Sequence, residues 1–177
     1  MIFHATRLSG VFVIEVEPRP DERGMFARTY CRDEFARHGL CTEWVQTNVA
    51  FNTRAGTLRG MHWQAAPHAE AKLVRCVSGA AYDVVVDLRA GSPTRRQWIA
   101  VELTAANRKA VYVPEGFAHG YQTLADGTEM FYMMSAFHAP DAARGARWDD
   151  PALGIVWPPC AARVISPRDA AYPDLPT

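Results

Sequence analysis

Lys72-Leu73-Val74-Arg75-Cys76-Val77-Ser78-Gly79-Ala80-Ala81-Tyr82-Asp83-Val84-Val85-Val86-Asp87-Leu88 decides how this chain folds. Two short apolar runs, 73–77 and 82–88, flank the turn pair Ser78-Gly79, and both are too short and too rich in valine for a helix. The second run stops near Gly91-Ser92-Pro93. Outward from this pair the same pattern repeats. Residues 98–103 alternate, as do 110–113, which run into Pro114-Glu115-Gly116. Residues 131–137 form another strand candidate, stopped by Pro140-Asp141, and 11–17 end at Pro18-Arg19-Pro20-Asp21. One short helix is predicted over 33–38, with Asp33 capping its start and Gly39 its end. The proline-rich C-terminal part, which contains Trp148 and Trp157, reads as irregular but packed. The sum is all-β: an antiparallel cupin-type jelly-roll β-barrel with little helix.

The bulk properties set limits on function. A length of 177 residues, 49% of them apolar, suits one domain over 1–177 with its own core. No repeat, linker or low-complexity tract interrupts it. Nineteen basic residues balance nineteen acidic ones, which argues against a nucleic-acid binder held by a general basic field. No apolar run approaches the roughly 20 residues needed to cross a bilayer. Met1-Ile2-Phe3-His4-Ala5-Thr6-Arg7 lacks the form of a signal segment, so a cytoplasmic protein is expected. Cys31, Cys41, Cys76 and Cys160 have no metal-knuckle spacing and read as free thiols, none of them a nucleophile.

Three segments could carry chemistry. In Thr57-Leu58-Arg59-Gly60-Met61-His62-Trp63-Gln64, His62 has the side chain best suited to a general base at neutral pH. A lone histidine is more often structural, but here a cation and an amide share its strand. Arg59 and His62 are three apart, so a regular strand would put them on opposite faces. Both serve one site only if the strand bulges, and Gly60 is the natural place. In Glu70-Ala71-Lys72-Leu73-Val74-Arg75-Cys76, alternation puts Lys72 on the face of Val74 and Cys76. The pattern leaves open a solvated lysine and a barrel cation that meets an oxyanion. Pro114-Glu115-Gly116-Phe117-Ala118-His119-Gly120-Tyr121 has the P-x-G-x-x-H form of a cupin metal motif. The H-x-H pair that would complete it is absent, and His62 and His68 are six apart, so no metal is expected.

Seven stretches in order resemble the dTDP-4-dehydrorhamnose 3,5-epimerase family. They are Asp21 to Phe26, Gln46-Thr47-Asn48, Leu58 to Gln64, Lys72 to Cys76, Asp83 to Arg89, Pro114 to Gly120, and Asp150-Pro151 through Gly154-Ile155 to Trp157-Pro158. The resemblance covers almost the whole chain. It implies a cupin-fold homodimer that needs no metal or cofactor, in which a strand of one subunit joins the sheet of the other. It implies His62 as general base, Asp169 (in Ser166-Pro167-Arg168-Asp169) as the carboxylate that orients it, Tyr132 as general acid and Lys72 as the cation near an enolate. Arg23, Phe26, Gln46, Asn48, Arg59 and His119 match positions that line a nucleotide-diphosphate sugar.

The chain departs from the family pattern mainly at the substrate end. Arg28 stands where a glutamate is common, and Ala143 where another is. Phe137-His138 replaces a Tyr-Tyr pair, and Met133 a basic residue. Two carboxylates lost and a cation gained change the charge around the nucleotide or sugar and so bear on its preference, unless these positions simply drift among ordinary family members. CDP- or GDP-linked 4-keto sugars, or inversion of one carbon only, are therefore open alongside the dTDP-linked substrate. The competing readings are a 3,4-ketoisomerase of related fold and a non-catalytic sugar-binding cupin.

Overall fold

The computed structural model describes residues 1–176. β1 (Ile2–Ala5) and β2 (Phe12–Glu15) form one hairpin, and β3 (Arg19–Asp21) and β4 (Gly24–Phe26) a second. Helix α1 (Arg32–Arg37) leads to β5 (Gln46–Asn52), β6 (Thr57–Gln64), β7 (Lys72–Ser78) and β8 (Ala80–Asp87). Then come β9 (Trp98–Thr104), β10 (Ala110–Val113), β11 (Phe117–Thr123) and β12 (Thr128–Met134). The last part holds β13 (Ala143–Gly145), β14 (Val164–Ile165) and the short α2 (Pro167–Ala170).

Two sheets face each other. One runs β1-β2-β10-β7-β12-β5, and the other β13-β6-β11-β8-β9, with β14 added in parallel to β6. From β5 to β8, and again from β9 to β13, successive strands alternate between the sheets, so the Ser78-Gly79 turn carries the chain from β7 in one to β8 in the other. This is the jelly-roll solution, in which the inner faces of two sheets bury one another.

Period-2 alternation explains the unbroken valine run. Val85 points between the sheets with Val74, Cys76, Val111, Phe117 and Met130. Val84 and Val86 point outward, yet they too are buried, under Met61, Ala146, Leu153 and Trp157 of a third cluster. On the outer face of the other sheet, Leu73 and Tyr112 pack against Phe35 of α1. A strand covered on both faces has no polar side to show.

Several boundaries differ from the sequence reading. The helix starts at Arg32 after Cys31, with no side-chain cap, so Asp33 does not cap it. Asp33 lies inside the first turn, where its charge still suits the positive end of the helix. Gly39 does follow the helix in the left-handed region, at φ +68°. The strand expected at 131–137 runs from Thr128 to Met134, because the chain turns into it at Asp126-Gly127. The C-terminal segment is packed: Trp157 Nε1 donates to the Trp148 carbonyl at 2.7 Å, and the Arg163 guanidinium lies 4.1 Å from the centre of the Trp148 ring system. No helix among the described residues is long and apolar enough to cross a membrane.

Candidate active site

The site starts at an irregularity in β6. His62 pairs with His119 of β11 and Arg59 with Tyr121, so β6 uses three steps where β11 uses two. That extra residue is a β-bulge, and it turns Arg59 and His62 to the same cavity. Gly60 lies at the bulge with φ +116°, and a Cβ there would stand 2.5 Å from Gly120 Cα. Only two glycines let β6 and β11 approach this closely. Met61, the residue next to it, turns outward and is wholly buried in the third cluster.

A cavity of about 460 Å³ opens between the two sheets. His62, Arg59 and His119 line it from one sheet, and Gln46, Asn48, Lys72 and Tyr132 from the other. The C-terminal segment closes one side, through Arg168, Asp169 and Tyr172.

Asp169 reaches His62 from 107 residues away. Its Oδ1 lies 2.8 Å from His62 Nε2, and its Oδ2 accepts from the Gly60 N–H at 3.1 Å. The Ser166 hydroxyl caps α2 by accepting from the Asp169 N–H at 3.1 Å, which fixes the carboxylate's origin. Burial alone would raise the Asp169 pKa, but the bonds to His62 and Gly60 outweigh it and hold the carboxyl below its usual value. An ionised Asp169 can only accept a hydrogen bond, so it favours the neutral ring with its proton on Nε2 and leaves Nδ1 as the nitrogen with a free lone pair. The imidazole is 43% exposed while its carboxylate is 7% exposed, so the basic edge is open and its support is dry.

On the facing sheet, the Tyr132 hydroxyl donates to Tyr121 at 3.2 Å. Asn52 Nδ2 donates to the same Tyr121 oxygen at 3.2 Å, and Arg59 Nε donates to Asn52 Oδ1 at 2.8 Å. Burial, followed by the neighbouring Tyr121, pushes the Tyr132 pKa far up, so the phenol keeps its proton throughout the neutral range.

Lys72 points into the cavity on the face of Val74, and its ammonium pairs with Glu70. Burial lowers its pKa and Glu70 opposes that shift. His119 is held by a carboxylate: its Nε2 lies 2.8 Å from Oδ2 of the fully buried Asp83. Among the described residues no three His, Cys, Asp or Glu side chains converge on one point.

Two of the residues assigned to substrate contact stay apart. Arg23 sits on the exposed β3–β4 hairpin, paired with Asp21, and Phe26 at its end is 70% exposed. Neither lines the main cavity of this single chain, because the hairpin pairs with neither sheet. Of the departures, Ala143 and His138 line the cavity, while Arg28 pairs with Glu34 at 3.0 Å beside a separate cleft. Met133 packs against the cluster around α1.

Sequence reasoning missed Asp83, Glu70, Asn52 and Tyr121. Asp83 carried a signal: a charge inside the apolar run 82–88 requires a partner. Glu70 carried one too, two residues before Lys72 and so on its side of an extended chain. Nothing marked Asn52 or Tyr121, whose partners come from other strands.

Comparison with known proteins identifies the family. The family model described as dTDP-4-dehydrorhamnose 3,5-epimerase matches residues 5–177. A protein of that name from Sinorhizobium fredii is 39% identical, over 99% of this chain and 90% of its own length. A dTDP-4-dehydrorhamnose 3-epimerase from Streptomyces niveus is 40% identical, over 92% and 78%. The crystal structure of the Bacillus anthracis 3,5-epimerase with TDP and PPi bound superposes with a TM-score of 0.94 at 36% identity, covering 98% of this chain and 99% of that one. A two-sheet cavity with a histidine–aspartate pair on one wall and a buried tyrosine on the other, in a chain matched almost end to end, therefore belongs to the dTDP-4-dehydrorhamnose 3,5-epimerase family.

Proposed function

We propose that this chain inverts C3 and C5 of a dTDP-linked 4-keto-6-deoxy sugar by removing and returning a proton at each carbon, without a cofactor. The observation that carries the reading is that a histidine–aspartate pair and a protonated tyrosine enter one cavity from opposite sheets. The C4 ketone makes the neighbouring C–H bonds acidic. His62 Nδ1 takes the proton, the C–H electron pair moves into the ring, and the C4 oxygen becomes an enolate oxygen. Lys72 meets that oxygen with its positive charge, help worth about 3–4 kcal/mol per donor in a dry site. Tyr132 then returns a proton to the opposite face, and exchange with water resets both groups. Asp169 keeps the proton of neutral His62 on Nε2 and stabilises the imidazolium, as the carboxylate does in a catalytic triad.

Arg59, His119, Gln46 and Asn48 suit the sugar and diphosphate from within the chain. Arg23 and Phe26 suit the nucleotide of a neighbouring subunit, since their hairpin projects from the body. A homodimer would also cover β5, an edge strand whose Val49 and Phe51 are exposed.

Incubation with dTDP-4-keto-6-deoxyglucose in heavy water tests the proposal. Deuterium at both C3 and C5, with inversion at both, is expected, and no exchange at either carbon refutes it. The relative named a 3-epimerase supports a second reading, inversion at C3 alone, for which deuterium would enter only there. Parallel runs with CDP-, GDP- and UDP-linked substrates check the nucleotide.

A further inference from the structure

The cavity walls carry Arg59, Lys72, Arg144 and Arg168 against only two carboxylates, Glu70 and Asp169. Such a balance suits an anionic substrate. A carboxylate in that place works against the overall field and needs a local reason. Asp169 has one in His62 and Gly60. Glu70 bonds no imidazole, guanidinium or backbone N–H: its Oε1 pairs with Lys72, and its Oε2 is buried without a partner among the described residues. Both side chains are more than nine-tenths buried.

The backbone between them is held. The Ala71 N–H donates to Ser135 Oγ at 2.7 Å, and the Ser135 N–H donates back to the Ala71 carbonyl at 3.0 Å. This pins the Glu70-Ala71-Lys72 segment to the end of β12. The other titratable groups around the cavity are His62 on β6, His119 and Tyr121 on β11, Tyr132 on β12, His138 after it, and Asp169 and Tyr172 in the C-terminal segment, beside the guanidinium groups already named. None of them bonds to Lys72 Nζ, and the anionic one, Asp169, is bonded to His62. Glu70 is thus the charge that an ammonium buried at this wall depends on. A lone buried ammonium gives up its proton, and a neutral amine does little for an enolate.

We propose that Glu70 is a positioning residue that keeps Lys72 both charged and aimed into the cavity. The inference rests on the reading of Lys72 as the cation that meets the enolate oxygen. The position of Oε2 strengthens the case, because among the described residues no donor other than Lys72 bonds to this carboxylate. Glu70 touches no reacting atom. It acts through Lys72.

The test exploits a property of the sequence: the chain has two lysines, Lys72 and Lys109. Protein carrying ¹³C at lysine Cε therefore gives two signals, and Lys109, half-buried beside Glu15, serves as reference. In Glu70→Gln the Lys72 signal is expected to titrate at least one pH unit lower than in the parent, a tenfold larger acid dissociation constant. In the same variant kcat should fall at least about tenfold at alkaline pH and recover as pH is lowered, with KM changed less than about threefold. Glu70→Asp, which keeps the charge, should hold the Lys72 titration near its parental position and guards against a folding defect in the amide variant. An unmoved Lys72 titration in Glu70→Gln overturns the proposal, and so does an unchanged kcat profile. A Lys72→Met variant as active as the parent would remove the role of Lys72 itself. Because the titration is read without substrate, that failure is distinguishable from a failure of Glu70 to hold the charge.

Discussion

Replacing Asp169 by Asn exchanges a carboxylate for an amide of nearly the same shape, and the structure dictates which way the amide turns. The carboxylate accepts twice, from His62 Nε2 at 2.8 Å and from the Gly60 N–H at 3.1 Å. The amide has one oxygen to offer. If the oxygen faces His62, the NH₂ group meets the Gly60 N–H, leaving a buried donor unpaired at a cost of about 1–3 kcal/mol. If it faces Gly60, the NH₂ group meets His62, and the half-exposed imidazole answers by moving its proton from Nε2 to Nδ1. The second arrangement wins, and it blocks the nitrogen that should act as base. The expected loss in kcat is about 10³–10⁴-fold, or about 4–5.5 kcal/mol, by analogy with the same exchange in a serine-protease triad. KM should change little, since Asp169 lies behind the base. Steady-state kinetics with dTDP-4-keto-6-deoxyglucose, beside a thermal melt to show that the fold persists, measure both. A folded Asp169→Asn protein with more than about a tenth of the parental kcat would refute the assignment of Asp169 and the tautomer argument together.

Three further outcomes are expected. Tyr132→Phe removes the acid on one wall and leaves the base on the other. It should lose about 10²–10⁴-fold in epimerisation yet still exchange substrate protons with heavy water on the original face; undiminished inversion would contradict the role. Gly60→Ala puts a Cβ 2.5 Å from Gly120 Cα at φ +116°, and urea unfolding should show a loss of about 2–6 kcal/mol from overpacking and backbone strain. Asp87 is fully buried; burial alone would raise its pKa, but bonds from Arg89, Ser92 and Thr94 hold it well below the usual carboxylate value. Its contribution is therefore complete above the ordinary carboxylate range and is lost as pH falls through the depressed value. Asp87→Asn should cost about 2–4 kcal/mol at neutral pH, and the gap to the parent should narrow steadily as pH falls below about 4. A gap that stays constant would assign the loss to packing.

Much of the architecture was legible because burial on two faces leaves a plain trace. Residues 84–86 are apolar without a break, since alternate valines enter two different clusters. The bulge at Gly60 could be reasoned from the spacing of Arg59 and His62, and the register with β11 contains it. Helix ends were harder. Asp33 looked like a cap, but the helix starts one residue earlier, where the local backbone rather than a side chain sets the boundary. α2 was overlooked inside a proline-rich tail, although Ser166 before Pro167 is a reasonable start signal. Partnerships across space were least visible. Asp83 with His119 and Asn52 with Tyr121 join strands far apart in sequence, and local pattern carries no record of such a bond. Arg23 and Phe26 mark another limit, since a single chain leaves their hairpin away from the cavity.

The carboxylate behind His62 comes from α2, among the last secondary structure along the described chain. Both sheets, the bulge and the tyrosine wall are encoded upstream of it. A ribosome could thus finish the barrel before the base has its support, so turnover in this protein reports that the tail has docked as well as that the sheets have formed. The same order suits gradual change. On the proposed roles, substitutions in the 166–172 stretch would retune the strength and tautomer of His62 while the strands that line the cavity stay as they are.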